Sequence, residues 1–167
     1  MKSIPFLLLG ASLLFASGYF LGRQTGSTPA GKGEIIGLNH VGLRVSDFER
    51  ARDFYMNTLG FKLAYQFDDA DGKPIFAYIQ VSQSTFLELM PANAEHPAGF
   101  DHFGFETNQI DSVAAYYQQA GIEAADPTVS TFTGIHLSMA KDLDGIRFEL
   151  IEPVEGSRLR AVMDAWE

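Results

Sequence analysis

One pattern is written twice in this chain, and the repetition constrains its fold more than any other feature. The first copy opens with Asn39-His40-Val41-Gly42-Leu43-Arg44-Val45, continues through Leu59-Gly60-Phe61 and closes with Phe86-Leu87-Glu88-Leu89-Met90-Pro91. The second opens with Asp101-His102-Phe103-Gly104-Phe105-Glu106-Thr107, continues through Ala120-Gly121-Ile122 and closes with Phe148-Glu149-Leu150-Ile151-Glu152-Pro153. His40 and Glu88 are 48 positions apart, and His102 and Glu149 are 47 apart. Each His is followed two residues later by Gly, and each Glu by Leu and, shortly after, Pro. Self-similarity of this kind marks two copies of one supersecondary unit.

Each copy reads as a strand, a helix and then several strands. His40 to Val45 and His102 to Thr107 are short runs of apolar and β-favouring residues. Ser46 with Glu49 forms a capping-box pattern ahead of Phe48, Ala51, Tyr55 and Leu59 at helical spacing, and Gly60 sits where a C-terminal cap belongs. Ile110, Val113, Tyr117 and Ala120 repeat the stripe before Gly121. Asp71-Gly72 and Asp144-Gly145 are hairpin-turn signals leading into Phe76 to Val81 and Ile146 to Ile151. The expected class is α+β, with βαβββ written twice. The modules span 37–92 and 100–153 within a domain of 34–155, followed by a short C-terminal helix in 156–167.

The residues before the repeat are a separate object. Lys2 precedes an uncharged run from Ser3 to Gly22, closed by Arg23, so 1–23 reads as a signal peptide or a signal-anchor helix. Residues 24–33, with Gly, Ser, Thr and Pro, read as a flexible linker. The expected location is extracytoplasmic, periplasmic or secreted, with membrane attachment only through 4–22. All 21 acidic residues lie from Glu34 onward against 9 of the 12 basic ones, a formal charge of −12 that argues against nucleic-acid binding. The absence of Cys excludes disulfides, thiolate metal sites and a thiol nucleophile.

Strand residues alternate faces. His40, Gly42 and Arg44 therefore share a face, as do Phe86, Glu88 and Met90; His102, Gly104 and Glu106; and Arg147, Glu149 and Ile151. If both copies curl alike, two imidazoles and two carboxylates point into one cleft. That set suits one borderline divalent cation, Ni or Zn first, with Mn or Fe as alternatives. Four protein ligands leave about two octahedral positions for water or substrate oxygens. A carboxylate within Phe-Leu-Glu-Leu-Met or Arg-Phe-Glu-Leu-Ile is costly to bury unless paired or metal-bound. In the plainer alternative each Glu faces solvent, or Glu149 pairs with Arg147. Repetition in register favours the shared cleft, because solvent-facing residues have no reason to repeat that way. His136, on an expected strand, is placed as a cleft-lining proton donor or as a structural residue, and Phe76 and Tyr78 as pocket walls.

The stretches "NHVGLRVSDFERARDFYMNTLGFKL", "FLELMP", "FDHFGFET" and "KDLDGIRFELIEP" resemble the vicinal oxygen chelate superfamily of glyoxalases, bleomycin-resistance proteins and ring-cleaving dioxygenases. The resemblance implies two βαβββ modules forming a half-open barrel around a metal. The order His40, Glu88, His102, Glu149 is similar to the ligand set of glyoxalase I. There the metal binds two oxygens of a hemithioacetal of glutathione and a 2-oxoaldehyde, and a carboxylate moves a proton between adjacent carbons. By that resemblance Glu149 is the main base and Glu88 its counterpart. Arg44 resembles a glutathione-carboxylate contact, with a salt-bridged Arg as the alternative, and Met90, Arg147 and His136 are further substrate-side candidates. Met90-Pro91-Ala92-Asn93 departs from the Asn-Trp-Gly stretch of glyoxalase I. The alternatives are an extradiol dioxygenase or epimerase on the same scaffold, or a non-enzymatic small-molecule- or antibiotic-binding protein. The implied partner is a small molecule, with homodimer formation open.

Overall fold

A computed structural model describes residues 33–167, so the N-terminal signal or anchor reading and nearly all of the linker lie outside the described residues. β1 (Ile35–Val45) is followed by α1 (Phe48–Asp53), β2 (Lys62–Asp68), β3 (Pro74–Ser82) and β4 (Thr85–Pro91). The second module repeats the order with β5 (Gly99–Thr107), α2 (Ile110–Gln119), β6 (Thr128–Val129), β7 (His136–Lys141) and β8 (Arg147–Glu152), and α3 (Arg158–Asp164) follows. This is βαβββ twice, as expected. No helix of the described residues is long and apolar enough to cross a membrane.

The eight strands form one open sheet in the order β2-β3-β4-β1-β5-β8-β7-β6. β1 and β5 meet antiparallel at the centre, and each lies parallel to the last strand of its own module. The two halves of the sheet are thus related by a pseudo-twofold axis between β1 and β5. Side-chain alternation divides the apolar residues between two faces. On the outer face α1 and Phe48 cover Ala77, Ile79 and Leu89, while α2 with Ile110, Val113 and Ala114 covers Ala140, Phe148 and Leu150. On the concave face Tyr65, Phe76, Tyr78, Phe86, Met90 and Ile151 cluster under Leu159 and Met163 of α3. The half-open barrel is therefore lined from both modules and partly closed by the C-terminal helix.

Two local expectations are corrected. The N-cap of α1 is Asp47, whose side chain accepts from the Arg50 N–H, and not Ser46; a short carboxylate one residue later meets the same orphan donors. After Asp53 the helix widens into a π-helical segment, Phe54–Thr58. That extra residue turns Tyr55 and Met56 into the outer core and leaves Leu59 exposed, so the even 3.6-residue stripe ends early. Gly60, Gly72, Gly121 and Gly145 do hold the positive φ that their cap and turn positions require.

Candidate metal centre

The central pairing of β1 and β5 sets each His opposite the Gly of the other copy: His40 faces Gly104, and Gly42 faces His102. A Cβ on Gly104 would lie 2.1 Å from His40 Cε1, and one on Gly42 2.4 Å from His102 Cε1. The repeated His-x-Gly is therefore an interlock, in which each glycine is the floor on which the other module's imidazole lies. On the outer side of this central pair, β4 and β8 place Glu88 beside Gly42 and Glu149 beside Gly104.

The four side chains converge in one chain. His40 Nε2 is 3.1 Å from His102 Nε2. Glu88 Oε2 lies 3.1 Å from His102 Nε2 and 3.8 Å from His40 Nε2. Glu149 approaches His40 Nε2 at 3.5 Å and His102 Nε2 at 3.8 Å. His40, His102 and Glu149 each offer a donor atom within 4.8 Å of the other two, and Glu88 reaches both imidazoles. Donors bonded to one cation at about 2.0–2.2 Å stand about 2.8–3.6 Å apart at adjacent octahedral or tetrahedral positions, so His40, His102 and Glu149 lie near the spacing that a single divalent ion requires. The imidazoles are sealed, at 0% and 3% exposure, while the carboxylates keep 13% and 16%, so a ligand would approach from the carboxylate side.

A second ring of groups orients the imidazoles. The Nδ1–H of His102 donates to Asp101 Oδ2 at 2.8 Å, and that of His40 to Asn39 Oδ1 at 3.3 Å. With both Nδ1 atoms occupied in this way, both Nε2 atoms are turned to the cleft as donors for a cation. Strict alternation would put Asn39 and Asp101 on the outer face. A β-bulge at each position, between Leu38 and His40 and opposite the Gly42/Leu43 step, turns two consecutive side chains inward instead. Sequence reasoning missed both residues for that reason. The available signal was a polar, hydrogen-bonding residue directly before each His.

The remaining candidates divide. Arg44 donates from Nε to Asp101 Oδ1 at 2.8 Å and from Nη1 to the Pro91 carbonyl, so it is the salt-bridged Arg of the alternative reading. Arg147 also donates to Asp101, and not to Glu149. Met90 is buried in the concave apolar cluster, where Phe76 and Tyr78 also wall the cleft as expected. His136 is not brought to the cluster: Ile135 and Leu137 take the concave face, and His136 lies on the other side, 3.8 Å from Glu152 and 40% exposed. Tyr78, opposite Glu88 on β3, brings its hydroxyl to 3.5 Å from His40 Nδ1. Tyr65 stacks on Tyr78, and its buried hydroxyl has no partner among the described residues. A cavity of about 720 Å³ bordered by Tyr117, Ile122, Leu143 and Phe148 lies away from all four groups.

The electrostatics follow from this packing. Burial opposes a charge on His102, but the Glu88 hydrogen bond, the charges of Glu149 and Glu88 and the Asp101 hydrogen bond raise it to about 9. Burial likewise opposes a charge on Asp101, yet hydrogen bonds from Arg44 and His102 and the Arg147 charge lower it to about 2. Glu149 is held below its usual range, against burial, by His40, His102 and Arg147. Burial and then the Glu88 charge push the Tyr78 phenol well above its usual range. Without a cation the cleft thus favours a proton on His102 facing the ionised Glu149, and a divalent ion bound by His102 would displace that proton.

This open sheet, with two strand-borne imidazoles and two carboxylates at its centre, defines a fold built from paired βαβββ modules. The chain belongs to the Glyoxalase/Bleomycin resistance protein/Dioxygenase superfamily, whose profile matches residues 37–150. Among characterised relatives it is similar to a lactoylglutathione lyase of Neisseria meningitidis, 27% identical over 129 residues, covering 71% of this chain and 92% of the relative. It is also 24% identical over 122 residues to the uncharacterized protein YwkD of Bacillus subtilis, covering 69% of this chain and 95% of that protein. In fold it resembles the crystal structure of methylmalonyl-CoA epimerase from Mycobacterium tuberculosis, with a TM-score of 0.62 and 21% identity over 74% of this chain and 92% of the other.

Proposed function

We propose that this protein is a divalent-metal-dependent lyase or isomerase of the glyoxalase I type. Its substrate would be a small molecule with vicinal oxygens, such as the hemithioacetal of a 2-oxoaldehyde. The observation that carries this reading is the convergence of His40, Glu88, His102 and Glu149 within 3.1–3.8 Å across the pseudo-twofold axis. The similarity to a lactoylglutathione lyase supports it.

His40, Glu88, His102 and Glu149 would hold the cation, Ni or Zn first, which supplies positive charge where negative charge develops on the substrate's oxygens. Glu149 is the base: held ionised by His40, His102 and Arg147, it takes a proton from one substrate carbon and returns it to the neighbouring carbon. Glu88 is its counterpart on the other side of the cleft. His40 and His102, both sealed, keep the donor geometry fixed while the two more exposed carboxylates meet the substrate. The uncharged run after Lys2 supports action outside the cytoplasm, which cell fractionation tests.

Glu149→Gln should lose at least about 100-fold in turnover of methylglyoxal–glutathione hemithioacetal, the usual scale for removing a general base. Elemental analysis of the purified protein should find about one divalent ion per chain. Full turnover by Glu149→Gln, or by protein stripped with EDTA, would overturn the reading. A metal-free protein whose thermal midpoint ignores EDTA would place it among non-enzymatic binders.

A further inference from the structure

The two imidazoles sit in related backbone positions but lean on different chemistry, and the difference is built by a cross-brace between the modules. At each copy a bulge brings the residue before the His inward: Asn39 in β1 and Asp101 in β5. At each copy the residue four after the His reaches across the axis to the bulged residue of the other copy. Arg44 donates to Asp101 Oδ1 at 2.8 Å, and Glu106 accepts from Asn39 Nδ2 at 3.0 Å. Asn39 is fixed further by donating to the Ser84 carbonyl at 3.2 Å, and Asp101 by accepting from Arg147. All four participants are well enclosed: Asn39 is fully buried, Glu106 is 9% exposed, and the side chains of Asp101 and Arg44 are 6% and 19% exposed.

The two braces have opposite polarity. On the β5 side two guanidinium groups hold a carboxylate against the ring of His102, at 2.8 Å. On the β1 side a carboxylate and a carbonyl hold a neutral amide against the ring of His40, at 3.3 Å. A charge-assisted hydrogen bond is shorter and stronger than a neutral one, and a carboxylate behind an imidazole makes its far nitrogen a better donor. An amide oxygen orients the ring with far less electron donation.

We propose that Asp101, clamped by Arg44 and Arg147, is a positioning residue that makes His102 the dominant anchor of the cation, with Asn39 and Glu106 forming a weaker, purely orienting brace on His40. Arg44 then serves the centre through Asp101 and not by touching substrate. This rests on the metal-centre reading above and adds to it an inequality between two halves that the repeat makes look alike.

The test uses the full chain, Zn2+ affinity by competition with a chromophoric chelator at one fixed pH, and the visible absorption of the Co2+-loaded protein. Asp101→Asn gives His102 the same kind of partner that His40 already has. It should weaken Zn2+ binding by about 10–100-fold, the usual cost of losing such an outer group, and shift the Co2+ bands. Arg44→Gln should weaken binding in the same direction by a smaller factor, although it contacts neither ring. Asn39→Ala should cost less than Asp101→Asn. The thermal midpoint of each metal-free variant separates a loss of fold from a loss of binding, and Arg44→Gln serves where Asp101→Asn does not fold. Zn2+ affinity of Asp101→Asn, or of Arg44→Gln in its place, within twofold of the wild type would overturn the proposal alone. So would a loss in Asn39→Ala equal to or larger than that in Asp101→Asn. A wild-type chain that takes up no divalent cation would overturn the metal-centre reading itself, and this inference with it.

Discussion

The first module and the second module share a backbone and differ in what surrounds their donors. Both offer a His two residues before a Gly, a Glu on the strand parallel to it, and a helix over the outer face. Behind His40 stand an amide and a tyrosine hydroxyl, while behind His102 stands a carboxylate held by two arginines. The position opposite Glu88 is Tyr78, and the equivalent one opposite Glu149 is Met139. The outermost strand of the first module has seven residues, and its counterpart has two. Duplication of the backbone therefore places the donors symmetrically, while non-repeating neighbours make the two sides of the cleft chemically distinct.

The scaffold half of that comparison can be broken most strongly in the core. Leu89 and Leu150 occupy equivalent places, one after each Glu, and both are fully buried under their helices. Leu89→Ala and Leu150→Ala should each cost about 2–5 kcal/mol in urea unfolding, and similar values for the pair would support equal packing of the halves. A cost below about 1 kcal/mol in one of them would show that its module packs loosely there.

The interlock comes next. Gly104→Ala and Gly42→Ala each drive a methyl group into a buried imidazole, at 2.1 Å and 2.4 Å from its Cε1, so that the ring or the strand must shift. Overpacking of this kind should cost about 1–3 kcal/mol. Divalent-cation affinity should fall by at least about tenfold in both variants, as when a ligand loses its orienting contact. Calorimetric titration checks it, and wild-type affinity in either variant would mean that the rings do not rest on these glycines.

The smallest effect is one of pH. In the metal-free protein His102 is raised from 6.5 to about 9, so its contribution to stability is fully present below 6.5 and is lost as pH rises through about 9. The thermal midpoint of EDTA-treated protein should fall across that interval. Cation binding must displace the same proton, so apparent affinity should climb over the same range. Glu88→Gln should draw the upper end of the window downward, because Glu88 hydrogen bonding is the leading contribution that raises His102 against burial. A midpoint independent of pH between 6.5 and 9 would contradict the packing of His102 against these carboxylates.

Much of this was legible because it depends on periodicity. The repeat, the alternation of His40 with Gly42 and of Glu88 with Met90, and the turn glycines are consequences of local backbone geometry. The bulges at Asn39 and Asp101 are departures from periodicity, so alternation assigned those residues to the wrong face. Arg44 and Arg147 were legible as cleft residues, but their partner was not, because Asp101 enters the cleft only through its bulge. Of the two readings of His136, the cleft-lining one is not met: its strand keeps strict alternation, and Leu137 takes the concave face.

The amino-acid sequence by itself determined that two like units exist and which four side chains repeat in register, since composition and spacing act over neighbouring residues. The tertiary structure decided that β1 and β5 pair across the axis, that each glycine carries the other module's imidazole, and that unlike groups stand behind the two rings. Those outcomes depend on contacts between residues about sixty positions apart, such as Asn39 with Glu106 at a separation of 67 and Arg44 with Asp101 at 57. No local preference encodes such pairings; they form only when burying two apolar faces brings the central strands together.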